Sequence, residues 1–134
     1  MRYMFIVRSA DQGPPSPELM EAMNELAAEE IRAGRMIDQG GLMPVALGAE
    51  ISLKGGKVSV VDGPFVESKE IVGGYAIFDF PAKEEAIASA QKFMELHRLH
   101  MPGWEGVCEM RAMAVHGVEM EDPACAGSAA AAGA

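Results

Sequence analysis

Asp62-Gly63-Pro64-Phe65-Val66-Glu67-Ser68-Lys69-Glu70, and the run that follows it, Ile71-Val72-Gly73-Gly74-Tyr75-Ala76-Ile77-Phe78-Asp79-Phe80, together decide the fold. The first part mixes turn residues with a knot of charges and reads as a loop. The second is apolar almost throughout, and Pro81 stops it. A strand with one wet face alternates, whereas a strand covered on both faces does not. Ile71 to Phe80 is therefore read as a central strand. A charged loop between apolar strands also draws interest for function, because loops on rigid scaffolds often carry it.

Working outward, the segment from residue 2 to residue 8 is the other nearly continuous apolar run. After it, Asp11 to Pro17 is a loop that ends in a helix start, with Ser16 as N-cap, Pro17 in the first turn and Glu18 beside it. Leu19, Met23, Leu26, Ala27 and Ile31 then recur at helical spacing up to a stop at Gly34. Met36 to Leu42 makes a second strand, ended by Pro44, and residues 50–54 and 57–61 flank Gly55-Gly56 as a hairpin. Beyond Pro81, Ala82-Lys83-Glu84-Glu85 opens a second helix that runs to Leu99. Pro102-Gly103 breaks the chain, and Val107 to Val115 forms the last strand. The order is β-α-β, an inserted β-hairpin, then β-α-β. That order predicts an α+β fold with a ferredoxin-like antiparallel sheet and both helices on one face. Its first and third main strands are central, and those are the two apolar runs.

The last strand assigns the faces. Cys108, Met110, Ala112 and Ala114 point one way, small and apolar, as a face beneath helices should be. Val107, Glu109, Arg111, Met113 and Val115 point the other way. With helices on one side only, the second face stays bare, and its central strands are too apolar to leave in water. A homodimer is expected to cover it, with Glu109 and Arg111 looking into the space between subunits.

Composition narrows the partners. The 134 residues allow one domain with a single core, expected over residues 1–116. Residues 117–134 are acidic, then Ala/Gly-rich and without period, so they read as a low-complexity tail. The net charge is -9 with a pI near 4.7, which argues against nucleic acid as a partner. No apolar run reaches the roughly 18 residues of a membrane helix, so no membrane association is expected. The segment from Met1 to Arg8 is too short for a signal peptide and reads as a strand, so a cytoplasmic location is expected. Cys108 and Cys125 make neither a disulfide framework nor a CxxC pair, and no cofactor is expected. Eleven methionines read first as ordinary core filling and only second as an adaptable pocket lining.

Two groups of residues carry a resemblance. One is Asp62-Gly63-Pro64-Phe65 with Glu67-Ser68-Lys69-Glu70 and Gly73-Gly74-Tyr75. The other is Leu96-His97-Arg98-Leu99-His100-Met101-Pro102-Gly103-Trp104-Glu105-Gly106, leading into Cys108-Glu109-Met110-Arg111. In combination they resemble the YCII-related (DGPF-motif) family, in the branch with a histidine in the second helix and a Pro-Gly-Trp turn, over residues 2 to 116. The resemblance implies a dimeric α+β barrel, two ferredoxin-like sheets packed face to face. Related barrels include muconolactone isomerases and antibiotic-biosynthesis monooxygenases, which use the cavity between sheet and helices for small organic substrates. Members of the family have been proposed as enzymes with a His-Asp pair, and some are encoded beside extracytoplasmic-function sigma factors. The family has no settled activity, and fold analogy supplies none.

His97 is the leading candidate for chemistry. It falls near the centre of the stripe formed by Ala86, Ile87, Ala90, Phe93, Met94 and Met101. There its imidazole serves as a general acid or base, or else as a packed histidine bonded to a backbone carbonyl or to the helix C-terminus. His100, three residues on, shares that region as a ligand contact. A metal would need further ligands, and Glu109 and Cys108 point to opposite faces, so no metal is expected. Asp62 either orients His97 or accepts hydrogen bonds as the first residue of a turn. Lys69, within the charge knot of Glu67 and Glu70, meets an anionic ligand or belongs to a solvated loop. Arg111 with Glu109 clamps a ligand carboxylate, or neutralises that acid in an interface. The Tyr75 hydroxyl donates to a ligand or to a carbonyl.

Three classes of function follow. The first is an enzyme moving a proton on a small anionic or carbonyl-bearing molecule, with His97 as acid or base and Asp62 or Glu109 orienting it. The second is a binding or regulatory module that uses the same cavity without turnover. The third is a dimeric interaction protein.

Overall fold

The two apolar runs pair with each other. In the computed structural model, which describes residues 1–11, 13–62 and 70–114, β1 (Arg2–Ser9) and β5 (Ile71–Asp79) lie side by side and antiparallel. They are flanked by β2 (Met36–Gly41) and β6 (Val107–Met113) in the order β2-β5-β1-β6. The helices are α1 (Pro17–Arg32) and α2 (Lys83–His100). This is the α+β, ferredoxin-like arrangement that the order of elements predicts. Lys69 and the rest of the 63–69 loop lie outside the described residues, as do Val115 and the 117–134 tail with Cys125.

The face under the helices is closed by rings. Register sets Phe5 between Ala76 and Met110, and Tyr3 between Phe78 and Ala112. Tyr3, Phe5, Phe78, Phe80 and Ala86 form the buried cluster, with Phe5 and Phe78 centroids 4.8 Å apart and Phe78 and Phe80 5.4 Å apart. A fully buried phenylalanine contributes about 1.5–3 kcal/mol relative to exposure, so these rings are the main apolar stabilisation. Leu19, Leu26 and Ala27 bring α1 onto the sheet. Ser16 caps α1 as expected, its Oγ accepting from the Leu19 N–H at 3.1 Å and donating to the His100 carbonyl at 2.8 Å.

Some details differ from the periodicity. Ile31 is exposed and Glu30 is buried, because Arg35 folds back and forks onto the Glu30 carboxylate at 2.6 and 3.1 Å. Ile87 is exposed at the edge of the α2 stripe. A short 3-10 turn, Val45–Leu47, precedes the hairpin. At the Gly73-Gly74 entry to β5 the pairing steps from Val7↔Gly74 to Arg8↔Val72, so Gly73 is the extra residue of a β-bulge.

The hairpin strands β3 (Ala49–Lys54) and β4 (Lys57–Asp62) form their own two-stranded sheet. Gly55 and Gly56 join them at φ 56 and 76°, the left-handed pair that a two-residue hairpin turn requires. On the other face of the main sheet Met4, Ile6, Tyr75 and Ile77 form the middle. Arg2 bonds Asp79 at one end through Nε at 2.9 Å. No helix of the described residues is long and apolar enough to cross a membrane.

Candidate functional site

His97 lies on the α2 stripe with Ala86, Ala90, Phe93 and Met94, and is 7% exposed. Its ring sits against Phe93, with centroids 4.7 Å apart, and against Trp104 at 4.4 Å. Nδ1 is 3.1 Å from the Phe93 carbonyl oxygen. A carbonyl only accepts, so Nδ1 carries the proton of the neutral ring and Nε2 keeps the lone pair. Burial pulls the His97 pKa below its usual 6.5, and the Phe93 carbonyl opposes that fall only in part. At neutral pH the ring is therefore uncharged, an acceptor at Nε2.

The turn after α2 builds the facing wall. The Met101 N–H closes the helix on the His97 carbonyl at 2.8 Å, and Gly103 turns the chain at φ 87°. Trp104 folds over Gly106, where an added Cβ would lie 2.6 Å from the indole Cζ2 and 2.7 Å from the Arg8 carbonyl oxygen. Only glycine fits beneath that ring. Ser9 Oγ donates to the Glu105 carbonyl at 2.7 Å and ties the turn to β1. Between helix and turn is a groove of about 350 Å³ lined by Met94, His97, Arg98, Met101, Trp104 and Glu105, among others.

The open face of the sheet holds a different set. Tyr75 lays its ring across Gly40, where a Cβ would be 2.8 Å from the ring, and its hydroxyl donates to Asp38 Oδ2 at 3.2 Å. That bond to a carboxylate raises the Tyr75 pKa above its ordinary value. Glu109 lies between two arginines, with Arg8 3.7 Å from one oxygen and Arg111 3.4 Å from the other. Two guanidinium groups on one carboxylate leave a local excess of positive charge. Arg8 Nε is buried without a partner.

The expected residues thus fall into separate places. His97 gathers aromatic and methionine side chains at the end of α2. Glu109 and Arg111 project from the sheet face away from the helices, because Glu109 pairs with Ile6 and Arg111 with Met4 while Phe5 faces inward. His100 is half-buried, and its carbonyl receives Ser16. Asp62 ends β4 opposite Ala49. The Nδ1 position, where an orienting carboxylate would bind, is taken by the Phe93 carbonyl. Tyr75 donates to a side-chain carboxylate rather than a backbone carbonyl. Among the described residues no three His, Cys, Asp or Glu side chains gather to hold a metal ion. Cys108 is a free thiol whose pKa burial pushes up, so it stays protonated.

Reasoning from sequence missed Arg8 and Asp38. Arg8 was legible in principle, since it alternates with Met4 and Ile6 on one face. Asp38 was not, because a bulge between Met36 and Asp38 breaks the alternation of β2.

Comparison with known proteins agrees with the fold. A protein of Rhizobium meliloti (strain 1021), described only as uncharacterized, is 27% identical over 85 residues, 63% of this chain and 68% of its own length. The YCII-related domain matches residues 1–94, which takes in the sheet centre and most of α2 and stops just before His97. On that match the chain belongs to the YCII-related family.

Proposed function

We propose that the protein, as a cytoplasmic homodimer, binds a small organic molecule in the groove at the end of α2, where His97 Nε2 meets the polar end of the ligand. The observation that carries this is the setting of the imidazole: Nδ1 is occupied by the Phe93 carbonyl, which leaves Nε2 as the ring's acceptor, and His97 lines a groove of about 350 Å³. That size lies toward the small end of ordinary ligand sites, about 300–1,000 Å³. A neutral imidazole matches an acidic O–H, or a C–H made acidic by a neighbouring carbonyl. In the enzyme form of this reading, Nε2 takes the ligand's proton and returns it to another atom of the same molecule. Asp62, Lys69 and His100 remain candidates at the rim, whereas Tyr75, Glu109 and Arg111 would be enclosed only by a second copy.

Support for the dimer is the half-buried, largely apolar middle of the sheet's other face, Met4, Ile6, Tyr75 and Ile77. Support for the cytoplasm is the free Cys108 in an acidic chain. The domain is assigned to residues 1–116 and the tail to 117–134. Binding without turnover has an observation of its own, since no carboxylate bonds His97 among the described residues.

Trp104 is the one tryptophan of the chain, so its emission reports this groove. Small carboxylic acids, lactones and dicarbonyls are titrated into wild type and His97→Gln. A compound that shifts the emission should bind the variant about tenfold more weakly, the cost of one lost hydrogen bond at a buried site. Equal binding by both proteins would remove His97 from the site. Exchange of the ligand's C–H for deuterium, present in wild type and absent in the variant, identifies proton transfer. Binding without exchange leaves the module reading.

A further inference from the structure

We infer that the β3–β4 ribbon is a dimerisation arm whose apolar face lies on the second copy of this chain. The inference rests on the homodimer proposed above and adds to it which element holds the copies together.

The ribbon is amphipathic by register. Ile51 faces Val60 and Leu53 faces Val58 on one side, while Ser52 faces Ser59 and Lys54 faces Lys57 on the other. The four apolar side chains are 63%, 70%, 63% and 64% exposed in the order Ile51, Leu53, Val58, Val60. A two-stranded hairpin in water is marginal by itself, and two successive apolar rungs on one face, against a face whose one large apolar side chain is Val61, are the pattern of a covered surface. Leu42, Met43 and Leu47, in the connection from β2, are exposed too, so uncovered apolar residues continue from the sheet edge into the ribbon.

Area selects the occupant. Four strands about 4.8 Å apart, each of about seven residues rising about 3.3 Å, present about 440 Å² per copy, so stacking two open faces buries only about 900 Å². A stable interface buries about 1,600 Å². Two ribbons of six residues per strand, each covering its own area of the partner, add about 800 Å² and bring the total into that range. The arm extends the interface beyond the sheet face. The chain's tail cannot take its place, since the large apolar side chains of residues 117–134 are only Val118 and Met120. Charge agrees: Lys54 and Lys57 at the ribbon tip approach a second chain of net charge -9.

The test is sedimentation equilibrium of the full chain, with circular dichroism as the check on folding. Leu53→Thr/Val58→Thr keeps residues suited to strands but removes the apolar ladder. Its dimer dissociation constant should rise about 100-fold, whereas Ser52→Thr/Ser59→Thr on the opposite face should dimerise like wild type. Ile6→Asp, in the sheet face, should dissociate the dimer independently. If wild type and Leu53→Thr/Val58→Thr dimerise equally while Ile6→Asp does not, the arm is overturned and the dimer stands. A wild type that is monomeric at about 100 μM overturns the dimer and the arm together. If the Thr variant stays dimeric but melts lower at every concentration, the ribbon packs on its own chain, and the arm is overturned.

Discussion

The two faces of the four-stranded sheet are made from the same strands, residue by residue in alternation, yet they are completed differently. The inner face is closed by the Tyr3, Phe5, Phe78 and Phe80 rings under α1 and α2. The outer face sets Met4, Ile6, Tyr75 and Ile77 among charged groups that are mostly paired within the chain, with Arg8 Nε left unsatisfied. Arg2 bonds Asp79, Tyr75 bonds Asp38, and Glu109 lies between Arg8 and Arg111. Unpaired charges would make covering such a face costly, whereas paired ones lower that cost. The inner face is thus closed by the chain's own helices, whereas the outer one has no element of the described chain packed across it.

The largest expected effect tests that contrast at adjacent positions. Phe5→Ala removes a buried ring and should cost about 3–5 kcal/mol of unfolding free energy, measured by urea denaturation. Ile6→Ala, one residue along on the outer face, should cost less at dilute concentration and approach the Phe5 penalty only where the chain self-associates. Equal costs at every concentration would break the contrast. Next in size is Gly106→Ala. Its Cβ meets both the indole and the backbone oxygen of Arg8, and a backbone atom cannot step aside. Overpacking of this kind costs about 1–3 kcal/mol, and Trp104 should leave its pocket with a red-shifted emission. Gly73→Ala meets no atom within 4 Å and serves as the silent control.

A pH experiment separates the inner corner from the outer face more finely. The His97 pKa is depressed in the fold by burial, so in the window just below about 6.5 the unfolded chain binds more protons than the folded one. Stability from this group is fully present above that window. It falls as pH drops, and levels off once the pH passes the folded value. The urea midpoint of wild type should therefore fall between pH 7.5 and 5 more steeply than that of His97→Gln. Parallel slopes would show that His97 is not buried neutral.

How far all this was legible depends on the range of the cause. The strand order followed from two apolar runs and a few turn residues, because sheet burial writes itself into local composition. The Cys108/Glu109 alternation located both faces for the same reason. His97 was legible as an inward residue, but its role was not. Its partners are a carbonyl four residues back and an indole across a turn, and neither contact has a sequence period. Glu30 was read past for Ile31, because an apolar side chain fits a helical stripe and the fork from Arg35 arises only once the chain reverses. The Tyr75 hydroxyl had no legible partner because Asp38 reaches it through a bulge.

The smallest effect is at that tyrosine, and it sharpens the contrast most. The bond to Asp38 raises the Tyr75 pKa, so the stability it supplies is present at and below the phenol's ordinary range near 10 and is lost only as pH rises through the higher folded value. At neutral pH the bond is fully in place, so Asp38→Asn should lower the urea midpoint, though only slightly because the bond is exposed. In a spectrophotometric titration it should bring the Tyr75 phenol back toward its ordinary range. If a second copy covers the outer face, water is removed from the Tyr75 phenol, and its titration must move higher as protein concentration rises. A Tyr75 titration independent of concentration, in a chain shown to dimerise, would mean that the dimer uses some surface other than this sheet face.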